Sequence, residues 1–225
     1  MLAAGHRDTT RARDALAALC QTYWYPLYAY VRRRGYPPPD AEDLTQEFFA
    51  RLLEKNTLGA ITREKGKFRS FLLSALSHFM IDEWKKGRAR KRGGGGIVSL
   101  DAREAETRLG REPVDALTPE KAFERNWALA LLTTVYQRLQ SEYITDGKAA
   151  LFDELKPCLA GARDSMPYAE LAVRLGLAEN TVKVSVHRLR RRYRELLRAE
   201  LAHTVDGPEE VEEELRCLFR ALSTS

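Results

Sequence analysis

Apolar residues recur at three- and four-residue intervals along nearly the whole chain, and they do not alternate with polar residues. This spacing places them on one face of an α-helix, whereas a half-buried β-strand has a period of two. The pattern therefore predicts an all-α protein. A chain of 225 residues suits one large domain or two small ones, each with a modest core.

A run of four glycines at 93–96 interrupts this helical pattern. The residues that follow are rich in Gly, Pro and charge and show weak periodicity, which is typical of a linker. We therefore predict two small helical domains joined by a flexible linker. The predicted boundaries are an N-terminal tail at 1–16, a first domain at 17–92, the linker at 93–121, a second domain at 122–204 and an acidic amphipathic extension at 205–225.

Composition excludes several classes of protein. The three cysteines are far apart and form no CxxC pair, which argues against a disulfide framework or a zinc site. The four histidines are scattered, and no HExxH, phosphate-loop or GxSxG motif occurs, so we expect no enzyme, no catalytic residue, no metal and no cofactor. No apolar run approaches the roughly 20 residues of a membrane span. We expect a cytoplasmic protein without membrane contact.

Residues 167–197 have the pattern of a helix-turn-helix. The small Ala172 allows two helices to cross closely, and Gly176 can adopt the positive φ that ends the first helix. The second helix has an apolar stripe on one side. Its other side carries groups of the kind that read major-groove edges and bind phosphates, namely Asn180, Thr181, Lys183, Val184, His187, Arg188 and Arg191. A solvated basic helix is the alternative, but the three features together favour DNA binding.

A second basic segment, 84–92, ends a long predicted helix in which aromatic and cationic residues interleave. Single-stranded nucleic acid is bound by such groups, because bases stack on rings and phosphates pair with cations. Cations also complement a helix C-terminus, so a purely structural role is the alternative.

An acidic helix is predicted at 41–55. Its outer face groups Asp43, Gln46, Glu47, Ala50 and Glu54, while its apolar residues point inward. An acidic surface does not suit DNA, so this face either contacts solvent or docks on a basic protein. Helix geometry alone favours solvent.

Three stretches in this order resemble the bacterial sigma-70 family of RNA polymerase sigma factors: "DAEDLTQEFFARLLEK", "GKFRSFLLSALSHFMIDEW" and "YAELAVRLGLAENTVKVSVHRLRRRYREL". The similarity is to the short extracytoplasmic-function type, which keeps only the second and fourth regions. It covers about residues 17–92 and 122–201. The resemblance implies a protein that binds core polymerase and directs promoter recognition, melting and initiation.

The resemblance also implies partners and site residues. Core RNA polymerase is the expected partner, through its β subunit and its β′ clamp, which would contact Asp43, Gln46, Glu47 and Ala50. Promoter DNA is the second, with Lys67, Arg69, His78, Lys85, Lys86 and Arg88 expected at the −10 region and residues from Asn180 to Arg191 at the −35 region. An anti-sigma factor is a further candidate partner.

Two questions stay open at this point. A stand-alone helix-turn-helix regulator, whose first domain dimerises or senses a signal, is the alternative function. The extension at 205–225 departs from the family pattern. It is expected either to pack on the basic second domain or to bind polymerase as a built-in regulator, and simple packing is favoured.

Overall fold

The computed structural model describes residues 22–54, 68–87, 100–112, 117–160, 167–205 and 207–223. Within these ranges the regular elements are helices and no strand occurs, so the all-α prediction is confirmed. Residues 22–33 form α1. The later elements are α2 (Pro38–Glu54), α3 (Phe68–Gly87), α4 (Leu100–Leu109), α5 (Pro119–Thr145), α6 (Ala149–Leu155), a 3₁₀ helix (Lys156–Ala160), α7 (Tyr168–Leu175), α8 (Glu179–Ala202) and α9 (Pro208–Ser223).

The chain divides into two compact units. The second unit is Leu131–His203, and the first consists of Met1–Ala130 together with Thr204–Ser225. The division therefore lies inside α5, whereas the sequence places the start of the second domain at 122. Phe123 and Trp127 account for the difference, because both are buried in the first unit.

The first unit has an aromatic core. Trp24 stacks on the buried Tyr28 within α1, and Phe48 of α2 lies 5.8 Å from Phe79 of α3 between ring centroids. The α3 side chains that face this core are fully buried at Leu72 and Leu76. Burial of such side chains contributes about 1.5–3 kcal/mol each, which makes this core the main stabilising element of the first unit.

The stretch predicted as a flexible linker contains α4, which packs on α1 through charged groups. Arg32 contacts both carboxylate oxygens of Glu106, at 2.6 and 3.0 Å, and the Tyr28 hydroxyl donates to the same carboxylate at 2.8 Å. Arg33 and Tyr25 bind Glu112 in the same way, at 3.0 and 2.6 Å. Each carboxylate is thus held by one arginine and one tyrosine of α1. These contacts give residues 100–112 a defined place in the first unit.

The second unit is built around Phe152. Its ring lies between Tyr136 and Tyr143 of α5, with centroid distances of 5.5 and 5.4 Å. At the end of α7, Gly176 adopts φ 63°, as the sequence predicts, and its N–H donates to the Ala172 and Val173 carbonyls. This left-handed residue lets the chain turn directly into α8. None of the helices that the structure describes is long and apolar enough to cross a membrane.

Glu106 offers a test of the α4 contact. Its hydrogen bonds from Arg32 hold the pKa of the carboxyl below its usual value. We expect Glu106→Ala to lower the free energy of unfolding by about 1–2 kcal/mol near neutral pH. Because the folded-state pKa is depressed, this contribution is present above the unfolded pKa of about 4.3 and is lost as pH falls through the folded-state pKa.

Urea denaturation at pH 7 and in a series below pH 4.5 measures the effect. Glu104→Ala is the control, since Glu104 is exposed on the same helix. Equal losses for the two variants at pH 7, or a Glu106 effect that stays constant down to pH 2, would contradict this account.

Candidate protein- and nucleic-acid-binding surfaces

The outer side of α2 is a continuous polar surface. Asp43, Gln46, Glu47 and Ala50 are all exposed, at the i, i+3, i+4 and i+7 positions of one helix face. We call these four residues the acidic face. The opposite side of α2 is buried, so the core of the first unit fixes which side of this helix points outward.

An ion-pair network borders the acidic face. Arg51 contacts Glu47 at 2.5 Å and Glu83 of α3 at 2.7 Å, and its guanidinium lies 4.7 Å from the centroid of the Phe79 ring. Asp43 forms no ion pair with any residue in the described ranges. The acidic face therefore presents one carboxylate that is partly neutralised and one that is open to a partner.

The exposed side of α3 combines a ring with a cation. We call His78, Ile81, Trp84 and Lys85 the α3 face. Trp84 and Ile81 are 54% and 48% exposed, which is unusual for large apolar side chains. His78 and Lys85 are also exposed, and they lie seven residues apart, which is about two turns of the helix. Rings and cations placed in this way can stack on unpaired bases and pair with phosphates.

Arg69 does not join this surface, although the sequence suggests it as a contact to the −10 region. Only 6% of its side chain is exposed, and its Nε lies 2.9 Å from a Glu214 carboxylate oxygen. Its guanidinium also lies 4.6 Å from the centroid of the Trp127 ring and 3.4 Å from Glu124. In this arrangement Arg69 is an internal structural residue, because its charge is already paired inside the first unit.

The remaining residues suggested for the −10 region cannot all be placed. Lys67 and Arg88 lie outside the described residues, and Lys86 lies at the end of α3. His78 and Lys85 are the two that the structure brings together on the α3 face.

The exposed side of α8 carries all seven residues that the sequence suggests for the −35 region. We call this set the recognition face, and it consists of Asn180, Thr181, Lys183, Val184, His187, Arg188 and Arg191. Val182, Val186 and Leu189 are buried on the other side, so α8 can rotate little without exposing its apolar stripe. Within the described residues Lys183 pairs with Glu179 at 2.7 Å and Arg191 with Glu195 at 3.4 Å.

The arginine run of α8 divides into two groups. Arg190 donates from Nε to the Cys158 carbonyl at 2.9 Å, and Arg192 contacts both carboxylate oxygens of Glu142, at 2.7 and 2.8 Å. These two hold α8 to its own unit. Arg194 is exposed and lies three residues beyond Arg191. Arg194 therefore extends the recognition face. It is not among the residues predicted from the sequence, although its helical spacing from Arg191 places it on that face.

The first three helices carry a recognisable family pattern, since residues 19–90 match the family model for sigma-70 region 2. This part of the chain is similar to region 2 of the sigma-70 family. The matched range contains α1, α2 and α3, and therefore both the acidic face and the α3 face. No curated protein and no solved structure shows significant similarity to the chain.

Two arginines of α8 provide a matched pair of variants. We expect Arg192→Ala to lower the stability of the second unit by about 1 kcal/mol, because it removes the contacts with Glu142 and Glu195. Arg188→Ala should leave stability unchanged within about 0.5 kcal/mol, since Arg188 is an exposed surface residue. Urea denaturation followed by circular dichroism compares the two, and equal losses would mean that the division of the arginines is wrong.

Proposed function

We propose that this protein is a sigma factor of the sigma-70 family, which binds core RNA polymerase through its acidic face and contacts promoter DNA through the α3 face and the recognition face. The observation that carries the proposal is the region 2 match, because it includes an acidic and an aromatic-cationic surface on adjacent helices. The two surfaces differ in charge, and each suits a different partner.

The acidic face suits a protein partner. Carboxylates repel the phosphates of a duplex, which carries one negative charge for about every 1.7 Å of its axis. Asp43 and Glu47 are instead complementary to a basic surface, and charge complementarity of this kind mainly raises the association rate and fixes the docking register. In the sigma-70 family such a surface is supplied by the β′ clamp.

The α3 face suits unpaired DNA in the −10 region. The exposed ring of Trp84 can take a base from a melted duplex, and stacking of this kind contributes about 1–3 kcal/mol per base. Lys85 lies beside it and can pair with a phosphate. Melting then requires no catalytic group, because captured bases offset the free energy of unstacking.

The recognition face suits the major groove in the −35 region. The first turns of α8 offer the short polar side chains of Asn180 and Thr181 and the apolar Val184, which can contact base edges. Arg188, Arg191 and Arg194 follow on the same side and are placed to contact phosphates or guanine. Each surface is small, so binding at both together is expected to supply the specificity.

The acidic face is tested by reversing its charge. We expect Asp43→Arg with Glu47→Arg to abolish co-purification with core polymerase, because both carboxylates then become cations that repel a basic partner. Glu104→Arg with Glu209→Arg makes the same charge change at exposed positions on other helices and is the control. If the Asp43 and Glu47 variant still co-purifies at the wild-type level, the acidic face is not the docking surface.

The recognition face is tested by Arg188→Ala. We expect promoter-specific transcription with core polymerase to fall about tenfold or more, because a lost base or phosphate contact costs about 1–3 kcal/mol. Arg174→Ala, which removes an arginine from the neighbouring α7, is the control. Unchanged transcription for Arg188→Ala would mean that α8 enters the groove in another register. Tight binding of the protein to a palindromic site without polymerase would instead favour the stand-alone regulator.

A further inference from the structure

Two helices that the sequence places outside the first domain, α4 and α9, belong to the first unit. The sequence associates α9 with the basic second domain or with polymerase, and it assigns α4 to a flexible linker. The buried side of α9 and the ion pair of Glu214 with Arg69 account for the place of α9 in the first unit. The helix α4 carries, in addition to its contacts with α1, a group of arginines that none of these contacts uses.

The charges of α4 are sorted between its two sides. Residues 100–112 contain more acidic than basic residues, so the sequence gives no sign of a basic surface here. In the folded chain, however, Glu106 and Glu112 turn toward α1 and pair with Arg32 and Arg33. The arginines of this segment are all exposed, namely Arg103, Arg108 and Arg111. Docking on α1 therefore hides acidic groups and leaves the cations outside.

These arginines have no acidic partner. Neither Arg103, nor Arg108, nor Arg111 forms an ion pair with any residue in the described ranges. The arginines described in α1, α2 and α3 differ from them, because each one binds a carboxylate: Arg32, Arg33, Arg51 and Arg69. Ion pairing within the first unit therefore does not account for the arginines of α4.

Effects within the helix account for only one of the three. Glu104 lies four residues before Arg108, a spacing at which ion pairs form along a helix, but the Arg108 guanidinium instead lies 3.9 Å from the centroid of the Tyr25 ring. Arg108 also lies in the last turn, where a cation complements the helix dipole. Arg103 lies in the first half of α4 and gains nothing from the dipole. Its charge is free to bind an external anion.

We propose that Arg103, Arg108 and Arg111 bind phosphates of duplex DNA, and we call these three residues the α4 site. Arginine suits this ligand because its planar guanidinium can donate two parallel hydrogen bonds to one phosphate. The Tyr25 ring fixes the position of Arg108 in advance. The proposed function assigns no contact to this helix, so the α4 site is additional to the α3 face and the recognition face.

The composition of the exposed side favours a duplex over a single strand. None of the exposed side chains described on α4 is an aromatic ring that could stack on unpaired bases. Arg103 and Arg108 lie five residues apart, which is about 7.5 Å along the helix axis, and this corresponds to about two phosphates of one strand at about 3.4 Å each. Contacts to phosphates carry no sequence information, so the α4 site should bind all sequences alike.

The first experiment measures binding of the free, full-length protein to a labelled duplex of about 30 base pairs, by fluorescence anisotropy over a range of salt concentrations. We expect Arg103→Ala with Arg111→Ala to reduce the slope of log K against log salt by about 1.8, because each lost phosphate contact removes about 0.9. Two unrelated sequences should lose affinity by the same factor. Arg103→Lys with Arg111→Lys keeps both charges and should keep the slope.

The control removes two cations elsewhere in the first unit. Lys121→Ala with Arg216→Ala changes exposed positions on α5 and α9 and should keep the slope of the wild type. All these substitutions are at exposed positions, so the urea midpoint should stay unchanged and confirm that each variant is folded. Equal decreases in slope for the alanine pair and its control would show a general effect of net charge and overturn the α4 site. An unchanged slope for the alanine pair would overturn it as well.

The exposed Glu104 offers a change in the opposite direction. Its carboxylate lies beside Arg103 in the chain and repels a bound phosphate. We expect Glu104→Gln to raise the affinity for the duplex about twofold, while Glu209→Gln, at an exposed position of α9, should leave it unchanged. Equal affinities of Glu104→Gln and the wild type would mean that the phosphates lie away from α4.

An acidic protein surface is the competing partner, and co-purification with core polymerase distinguishes it. If the alanine pair at Arg103 and Arg111 weakens co-purification but keeps the duplex slope, the arginines bind protein and the assignment to DNA is wrong. The duplex measurements contain no polymerase. A protein that fails to bind polymerase at all would therefore refute the proposed function, while the slopes would still decide on the α4 site.

Discussion

The buried guanidinium of Arg69 contacts two helices that are far from it in the sequence. Arg69 lies in the first turn of α3, and its partners Glu124, Trp127 and Glu214 lie on α5 and α9. Trp127 is itself anchored, since its indole N–H donates to the Tyr23 hydroxyl at 3.1 Å. A buried charge needs each of these contacts, because an unpaired guanidinium in the interior costs several kcal/mol. Arg69 therefore helps to hold α9 and the first half of α5, together with the buried apolar side chains of both helices.

Charge is distributed so that each helix suits one class of partner. Exposed acidic residues lie on the outer side of α2, and exposed cations predominate on the outer side of α8, while on α3 the exposed Lys85 lies near the exposed Asp82. The formal net charge of +5 hides this division, since the acidic and basic residues nearly cancel in the total. Local fields act over about a Debye length of 8–10 Å, so surfaces on different helices can attract different partners. Under the proposed function, this separation would let one protein bind both polymerase and DNA.

The parts of the structure that depend on local periodicity could be predicted from the sequence. The exposed and buried sides of α2 and α8 follow from helical spacing, and Gly176 follows from the need for a left-handed residue at the turn. The division of the arginines in α8 was not predictable, because Arg192 is held by Glu142, 50 positions earlier in the chain. The contact of Glu106 with Arg32 is hidden for the same reason, at a separation of 74.

The buried ion pair of Arg69 could not be predicted from the sequence. A cation in a basic, aromatic-rich helix suggests a DNA contact, and nothing near it in the chain indicates a partner 145 positions away. Amphipathic periodicity shows that α9 has a buried side, but not which surface covers it. Long-range ion pairs leave no local pattern, and so they become visible only in the folded chain.

The central claim is that this protein directs core RNA polymerase to promoters. In vitro transcription over a fragmented genomic library, with start sites read by sequencing, tests it most directly. We expect discrete start sites that appear only when both core polymerase and this protein are present, each preceded by two short shared sequence elements. Start sites that are identical with and without the protein would contradict it.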